Sequence, residues 1–203
     1  MSRRACPKEA GVLSVLVVLM LVGTAVAAAE AQPITVLVTY HSGTGNTEKM
    51  AQEVTAGAQA VSGTKVVLKR VGDVTTNDLL ISDAVIVGSP VYFGSMAGEV
   101  KTFFEDWTTK FGVFPDRRMR NKVGAAFATG AAFSNGKEFT IVTILGAMLI
   151  NEMIVVSGGG GFGASATTGP DSPGVDEKEA AEARALGKRV AEVAALVKSG
   201  ATR

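Results

Sequence analysis

Thiol and imidazole are almost missing from this chain. Its 203 residues include one cysteine, Cys6, and one histidine, His41. A lone cysteine forms no internal disulfide, and no thiolate nucleophile or Cys-ligated metal centre can be built downstream of it. A single histidine excludes multi-His metal sites and argues against a Ser-His-Asp triad. No metal site is therefore assigned. An excess of either charge is missing too: 20 Lys and Arg stand against 19 Asp and Glu, a formal net charge of +1. That leaves no basic surplus for nucleic acid and no acidic surplus to steer a cationic partner. With 47% hydrophobic and 19% charged residues the chain is not disordered, and its length suits one α/β domain.

The apolar content is uneven. Arg3, Arg4 and Lys8 precede a charge-free run from Gly11 to Ala29, which ends in overlapping small-x-small sites, Ala25-Val26-Ala27, Ala27-Ala28-Ala29 and Ala29-Glu30-Ala31. A basic start, an apolar run and such sites predict an export signal over residues 1–31, cleaved after Ala31, and a periplasmic or extracytoplasmic protein. Cleavage there removes three basic and two acidic residues and brings the net charge to zero. The alternative is an uncleaved anchor, because the run could just span a bilayer; the sequence offers no other attachment to a membrane. Ser2-Arg3-Arg4-Ala5-Cys6-Pro7-Lys8 resembles the twin-arginine pattern S-R-R-x-F-L-K, with Cys6 and Pro7 at its apolar positions. The general secretory route is the competing reading, supported by the strongly apolar run.

Residues 32–203 alternate short apolar runs with helical patterns. Strands are predicted at Ile34–Tyr40, Lys65–Lys69, Asp83–Gly88, Lys122–Thr129 and Met153–Ser157. Helices are predicted at Thr47–Val61, Asn77–Ser82, Gly98–Lys110, Lys137–Asn151 and Asp176–Lys198, the fourth well buried and the last with Leu186, Val190, Val193 and Val197 inward. Gly158–Pro173 reads as one long glycine-rich loop. Continuous apolar strands separated by helices predict a doubly wound, five-stranded parallel α/β sheet with helices on both faces. In such sheets ligands bind beyond the carboxyl ends of the strands.

The first strand is followed by His41-Ser42-Gly43-Thr44-Gly45-Asn46-Thr47 and then a helix. Glycines permit close backbone approach, the amides of Thr44 to Thr47 can face one concavity, and the hydroxyls of Ser42, Thr44 and Thr47 add donors. That is a phosphate cradle of neutral groups at a helix amino end. It lacks the lysine of a Walker A loop, so triphosphate hydrolysis is not indicated. The bland alternative is a polar turn with Thr47 as helix cap.

Ser42-Gly43-Thr44-Gly45-Asn46-Thr47-Glu48 resembles the T-G-N-T-E phosphate loop of flavodoxins. Gly88-Ser89-Pro90-Val91-Tyr92-Phe93-Gly94-Ser95-Met96-Ala97-Gly98, with Phe103 after it, resembles a segment of WrbA-type NAD(P)H:quinone oxidoreductases in the flavodoxin-like superfamily. The likeness runs from Ile34 to about Ser199. It implies a flavodoxin-like fold and an FMN cofactor. The phosphate would be held by Ser42, Gly43, Thr44, Gly45, Asn46 and Thr47. The isoalloxazine ring would lie between Pro90, Val91, Tyr92, Phe93 and Gly94 on one side and Thr129, Gly130, Ala131 and Ala132 on the other. Backbone amides of Phe93-Gly94 and Thr129-Gly130 would face flavin N1 and O2, and no catalytic side chain is needed, because the chemistry belongs to the cofactor. Phe93 has the alternative of joining the core.

The activity implied is two-electron transfer from a nicotinamide to a quinone. A flavodoxin-type carrier serving a redox partner protein is the alternative, and self-association into a homo-oligomer is a further expectation. Departures from the WrbA pattern are Tyr92 in place of a basic residue, Ile150-Asn151-Glu152 in place of a His-rich helix end, and the short Val71–Ser82 segment.

Four other patterns carry less. Gly158–Gly163 satisfies G-x-G-x-x-G, but no helix opens at its end, so a dinucleotide fingerprint fails. Glu105 and Asp106 are helix neighbours pointing apart and cannot work as an acid–base pair. Arg117, Arg118 and Arg120 read as a solvated cluster, with a grip on a nicotinamide pyrophosphate as the alternative. His41, at the mouth of the phosphate loop, has contact with FMN or proton donation as the alternative to a merely positional role.

Overall fold

The computed structural model describes residues 33–158, 161–169 and 174–201. The export signal expected at 1–31 lies outside them. The elements are β1 (Ile34–Tyr40), α1 (Asn46–Gln59), β2 (Thr64–Arg70), α2 (Thr76–Ile81), β3 (Ala84–Tyr92), β4 (Ser95–Met96), α3 (Gly98–Thr109), β5 (Val123–Gly130), α4 (Lys137–Ile150), β6 (Ile154–Val155), β7 (Ala164–Thr167) and α5 (Glu177–Ala201). Strands β2-β1-β3-β5-β6 lie side by side and parallel, with β7 also on β5 and β4 antiparallel to the end of β3. This is the doubly wound parallel α/β sheet expected from the sequence.

Alternation along the strands sends side chains to two separate cores. Val36, Val38 and Ile86 pack under α1 and α5 with Met50, Val54, Leu186 and Val190. Leu37, Val85 and Val87 face the other way, onto α2, α3 and α4 through Leu79, Phe103, Trp107, Ile144 and Met148. Helices α1 and α5 cross closely because two glycines meet there. A Cβ on Gly57 would stand 1.9 Å from the Arg184 carbonyl oxygen, and one on Gly187 would stand 1.9 Å from that of Val54.

Four expectations are corrected. The third strand does not stop at Gly88 but runs to Tyr92, with Pro90 opposite Thr129 of β5. Gly158–Pro173 is not one loop. The chain returns to the sheet as β7, so the fifth lane is split, β6 lying against Val123–Gly124 and β7 against Phe127–Gly130. Helix α4 is not well buried: Phe139, Val142, Leu149 and Ile150 are exposed, the last at 68%. On α5, Val193 and Val197 are only partly buried, and the seam is Ala183, Leu186, Val190 and Ala194. Small residues, Ala183, Gly187 and Ala194, stand among Leu186 and Val190 in this seam because the helix passes close to α1.

Candidate functional site

Parallel pairing brings the carboxyl ends of β1, β3 and β5 to one end of the sheet. Helix α1 opens there at Asn46, after Gly45 in the left-handed conformation (φ 89°), and no side chain caps its first turn. Thr47 is therefore not the cap; it lies inside the helix. The amides of a first turn have no partner within their own helix, so this amino end is an open set of donors. Ser42 is buried and its Oγ accepts from Gly45 N at 3.0 Å, which folds the loop back on itself. Asn46 Nδ2 donates to Thr44 Oγ1 at 3.3 Å across the exposed rim.

The buried hydroxyls of Thr47 and Thr129 meet at 2.8 Å, tying this loop to the end of β5. Only one of the two protons serves that bond, so the pair keeps one O–H to offer outward. Gly43 brings in the third segment. A Cβ there would stand 2.7 Å from the Tyr92 hydroxyl, so the aromatic ring lies against bare backbone.

Beyond Tyr92 the chain reverses. Val91 pairs with Met96 and Tyr92 with Ser95, leaving Phe93 (φ 50°) and Gly94 (φ 81°) as a two-residue turn with both φ positive. The position suits glycine, yet Phe93 occupies it with its ring fully exposed. A phenylalanine held in the left-handed region and denied any core contact is strained and unprotected, which points to use by a ligand. Its alternative as a core residue is excluded. Ser89 closes the base of this hairpin, its Oγ accepting from Ala97 N at 2.9 Å and donating to Pro90 O at 2.8 Å.

After β5, Gly130 and the exposed Ala131 and Ala132 lead to Phe133, which is also exposed. Asn135 braces this loop: its amide nitrogen donates to Ala132 O at 3.1 Å and its oxygen accepts from Ala131 N at 3.0 Å. Thr168 N donates to Gly130 O at 2.8 Å from the adjoining lane.

Two contributors escaped the sequence reading. Arg70, the last residue of β2, donates to Ser42 O at 3.1 Å, pairs with Glu48 at 2.8 Å and lies 5.6 Å over the Tyr40 ring. It holds the phosphate loop from below, and its place at a strand's carboxyl end was the available signal. Burial, and then the neighbouring Glu48 carboxylate, hold the Tyr40 hydroxyl above its ordinary pKa. The second is Lys137, buried at the start of α4 with its Nζ 2.9 Å from Ala132 O. His41 donates its backbone N–H to Gly88 O at 3.2 Å; its ring stands edge-on to Tyr92, with Nε2 3.6 Å from a Glu99 oxygen.

The remaining patterns take no part in these contacts. Arg117 and Arg120 both pair with Glu152 at the amino end of β5, so neither reaches the site to grip a pyrophosphate. Glu105 is engaged by Lys101 one turn earlier on α3, and Asp106 accepts from Thr109. Gly161–Gly163 leads into strand β7, not a helix; Gly159 and Gly160 lie outside the described residues.

These residues fit FMN. The neutral donor set suits a phosphate, the bare backbone at Gly43 leaves room against Tyr92, and exposed aromatic rings offer a surface for a planar group.

Two family models match the chain. One is described as NADPH-dependent FMN reductase, over residues 75–167, and the other as flavodoxin domain, over residues 37–112. A protein named flavodoxin from Aquifex aeolicus is 37% identical over 176 residues, spanning 81% of this chain and 89% of its own. The chain belongs to the flavodoxin-like family of FMN-binding proteins. A second relative of this flavodoxin-like chain, named NAD(P)H dehydrogenase (quinone), from Archaeoglobus fulgidus, is 33% identical over 193 residues, with 78% of this chain and 96% of its own covered. The crystal structure of a WrbA-like flavodoxin from Agrobacterium tumefaciens superposes with a TM-score of 0.66 over 79% of this chain and 97% of its own, at 24% identity, a likeness of fold. The flavodoxin-like chain is an FMN-binding oxidoreductase.

Proposed function

We propose that the strand ends Ser42–Thr47, Pro90–Gly94 and Thr129–Ala132 hold FMN and that the protein transfers two electrons from a nicotinamide donor to a quinone. The observation that carries this is the meeting of three segments, Thr47 on Thr129 and Gly43 on Tyr92, beside an uncapped helix amino end. FMN, when bound, supplies hydride acceptance and two-electron release. The chain's own work is placement and shielding. The first-turn amides of α1 and the hydroxyls of Ser42, Thr44 and Thr47 offer neutral donors to a phosphate. Tyr92, Phe93 and Phe133 cover the ring and keep water from it. Arg70 fixes the Ser42 carbonyl so that the loop is preformed.

The relative named NAD(P)H dehydrogenase (quinone) supports turnover. The relative named flavodoxin supports the second reading, an electron carrier. Purified protein mixed with NADH or NADPH and a soluble quinone separates them. Nicotinamide-dependent quinone reduction supports the enzyme; a yellow protein that dithionite reduces but neither nicotinamide does is a carrier.

Two further proposals concern setting. The protein is exported through a twin-arginine signal, so replacing Arg3 and Arg4 together by Lys, which preserves charge, traps yellow precursor inside the cell; normal export of that variant refutes the route. The protein also self-associates through the exposed Phe139, Val142, Leu149 and Ile150 of α4. Val142→Glu should then convert it to monomer in sedimentation.

A further inference from the structure

Lys137 is the first residue of α4, and only 4% of it is exposed. A lysine is disfavoured there twice over. Burial strips the hydration of the ammonium, and the amino end of a helix already carries partial positive charge. The lysines that form ion pairs among the described residues are Lys69, Lys101, Lys188 and Lys198; Lys137 is not one of them. Its Nζ donates instead to Ala132 O at 2.9 Å, to Phe133 O at 3.3 Å and to Thr167 Oγ1 at 2.8 Å. The acid that reaches this network, Glu179, accepts from Thr167 N at 2.7 Å with one oxygen and from Asp176 N at 3.1 Å with the other.

All three ammonium protons are thus satisfied, while the charge itself meets no carboxylate among the described residues. A neutral side chain with one or two N–H groups would brace the same carbonyls at lower desolvation cost. The charge needs another reason. Ala132 closes the Thr129–Ala132 loop, so Nζ lies one hydrogen bond behind the segment assigned to the ring. Flavin reduction by two electrons and one proton leaves the ring with a net negative charge.

We propose that Lys137 is a positioning residue for the electrostatics of the FMN site. It draws the Ala132 and Phe133 carbonyls to itself and sets a permanent positive charge behind the ring-contacting loop, favouring reduced, anionic FMN over oxidised FMN. The inference rests on Thr129–Ala132 lying at the ring.

The test uses full-length, FMN-loaded protein, its Lys137→Gln and Lys137→Met variants, and Thr167→Val, which keeps the charge but deletes one of its acceptors. The midpoint potential is read by spectroelectrochemical titration with dithionite as reductant, and oxidised FMN binding by fluorescence quenching. Relative to oxidised FMN, both lysine variants should hold reduced FMN about tenfold less tightly. For a two-electron couple that is a shift of about 30 mV to more negative potential. Thr167→Val should leave the potential in place. An unchanged potential in both lysine variants would overturn the inference. So would an equal shift in Thr167→Val, or loss of oxidised FMN from both lysine variants, since either makes Lys137 a mere brace. Failure of the parent to take up FMN would instead overturn the site assignment, before any variant is made.

Discussion

Thr47 and Thr129, 82 positions apart in sequence, share a 2.8 Å hydrogen bond between two buried hydroxyls. One stands in the first turn of α1, the other at the end of β5. The bond therefore couples the phosphate loop to the ring-contacting loop, and each threonine should report on both. Thr47→Val leaves the Thr129 hydroxyl buried without its partner and removes a donor from the phosphate site. FMN affinity should fall by about 1.5–3 kcal/mol, roughly tenfold to a hundredfold. Riboflavin binding should be far less sensitive. In urea melts of the cofactor-free protein, Thr47→Val and Thr129→Val should each destabilise, and the double variant should cost less than their sum by about 1 kcal/mol. Strict additivity would disprove the coupling.

Phe93 offers a trade between stability and binding. Its φ of 50° suits asparagine or glycine better than an aromatic, and its exposed ring makes no core contact to compensate. Phe93→Asn should raise the melting temperature of the cofactor-free protein slightly while weakening FMN. Paired calorimetry and FMN titration check this; a fall in melting temperature would show that the ring supports the fold.

Acid stability should depend on Asp78. Burial raises its carboxyl, but hydrogen bonds from Lys69 and from the side chain and backbone of Thr75 outweigh that and set it below the ordinary 3.8. A carboxylate with a depressed folded-state pKa contributes stability that is fully present above its unfolded value and lost as pH falls through the folded value. The gap in urea midpoint between the parent and Asp78→Asn should therefore be widest near neutrality and shrink below about pH 3.8. A gap that persists unchanged at pH 2.5 would contradict this.

The α1–α5 contact should be intolerant of a single methyl. Gly57→Ala places a carbon on the Arg184 carbonyl, and backbone on both sides cannot step aside as a side-chain tip can. A loss of about 1–3 kcal/mol is expected, read as a lowered urea midpoint. Gly72→Ala, where a Cβ meets nothing within 4 Å, serves as the control.

Strand β1 was legible to the residue because Ile34–Tyr40 is an uncharged run rich in β-branched residues, between a proline and a glycine-rich loop. The phosphate loop was legible because glycine and hydroxyl residues stood where the first strand ends, whereas the turn at Phe93–Gly94 was not, the third strand being expected to stop at Gly88. Strand β7 was not, since Ala-Ser-Ala-Thr carries no branched apolar residue and borrows its stability from pairing with β5. Pro90 read as a stop, although its fixed φ is compatible with extended backbone near a strand's end. The second apolar face of α4 was hidden because hydrophobicity all round a helix does not say what covers it. Lys137 and Arg70 were singled out by no motif. Only the fold shows that their charges lie beneath the loops.

The split lane of β6 and β7 also bears on how this protein avoids edge-to-edge aggregation. An open parallel sheet ends in two margins of unpaired backbone, each a template on which a stray strand can zip and seed aggregates. At one margin the template is cut into pieces of two and four residues, β6 and β7, which are not contiguous in sequence. At the other, β2 is continuous but carries Lys65, Lys69 and Arg70, so a second copy approaching in register would set like charges together. A deletion that cut the stretch between Val155 and Ala164 down to the length facing Ala125 and Ala126, making one straight strand, would lengthen the ladder and create a sticky rim in its place.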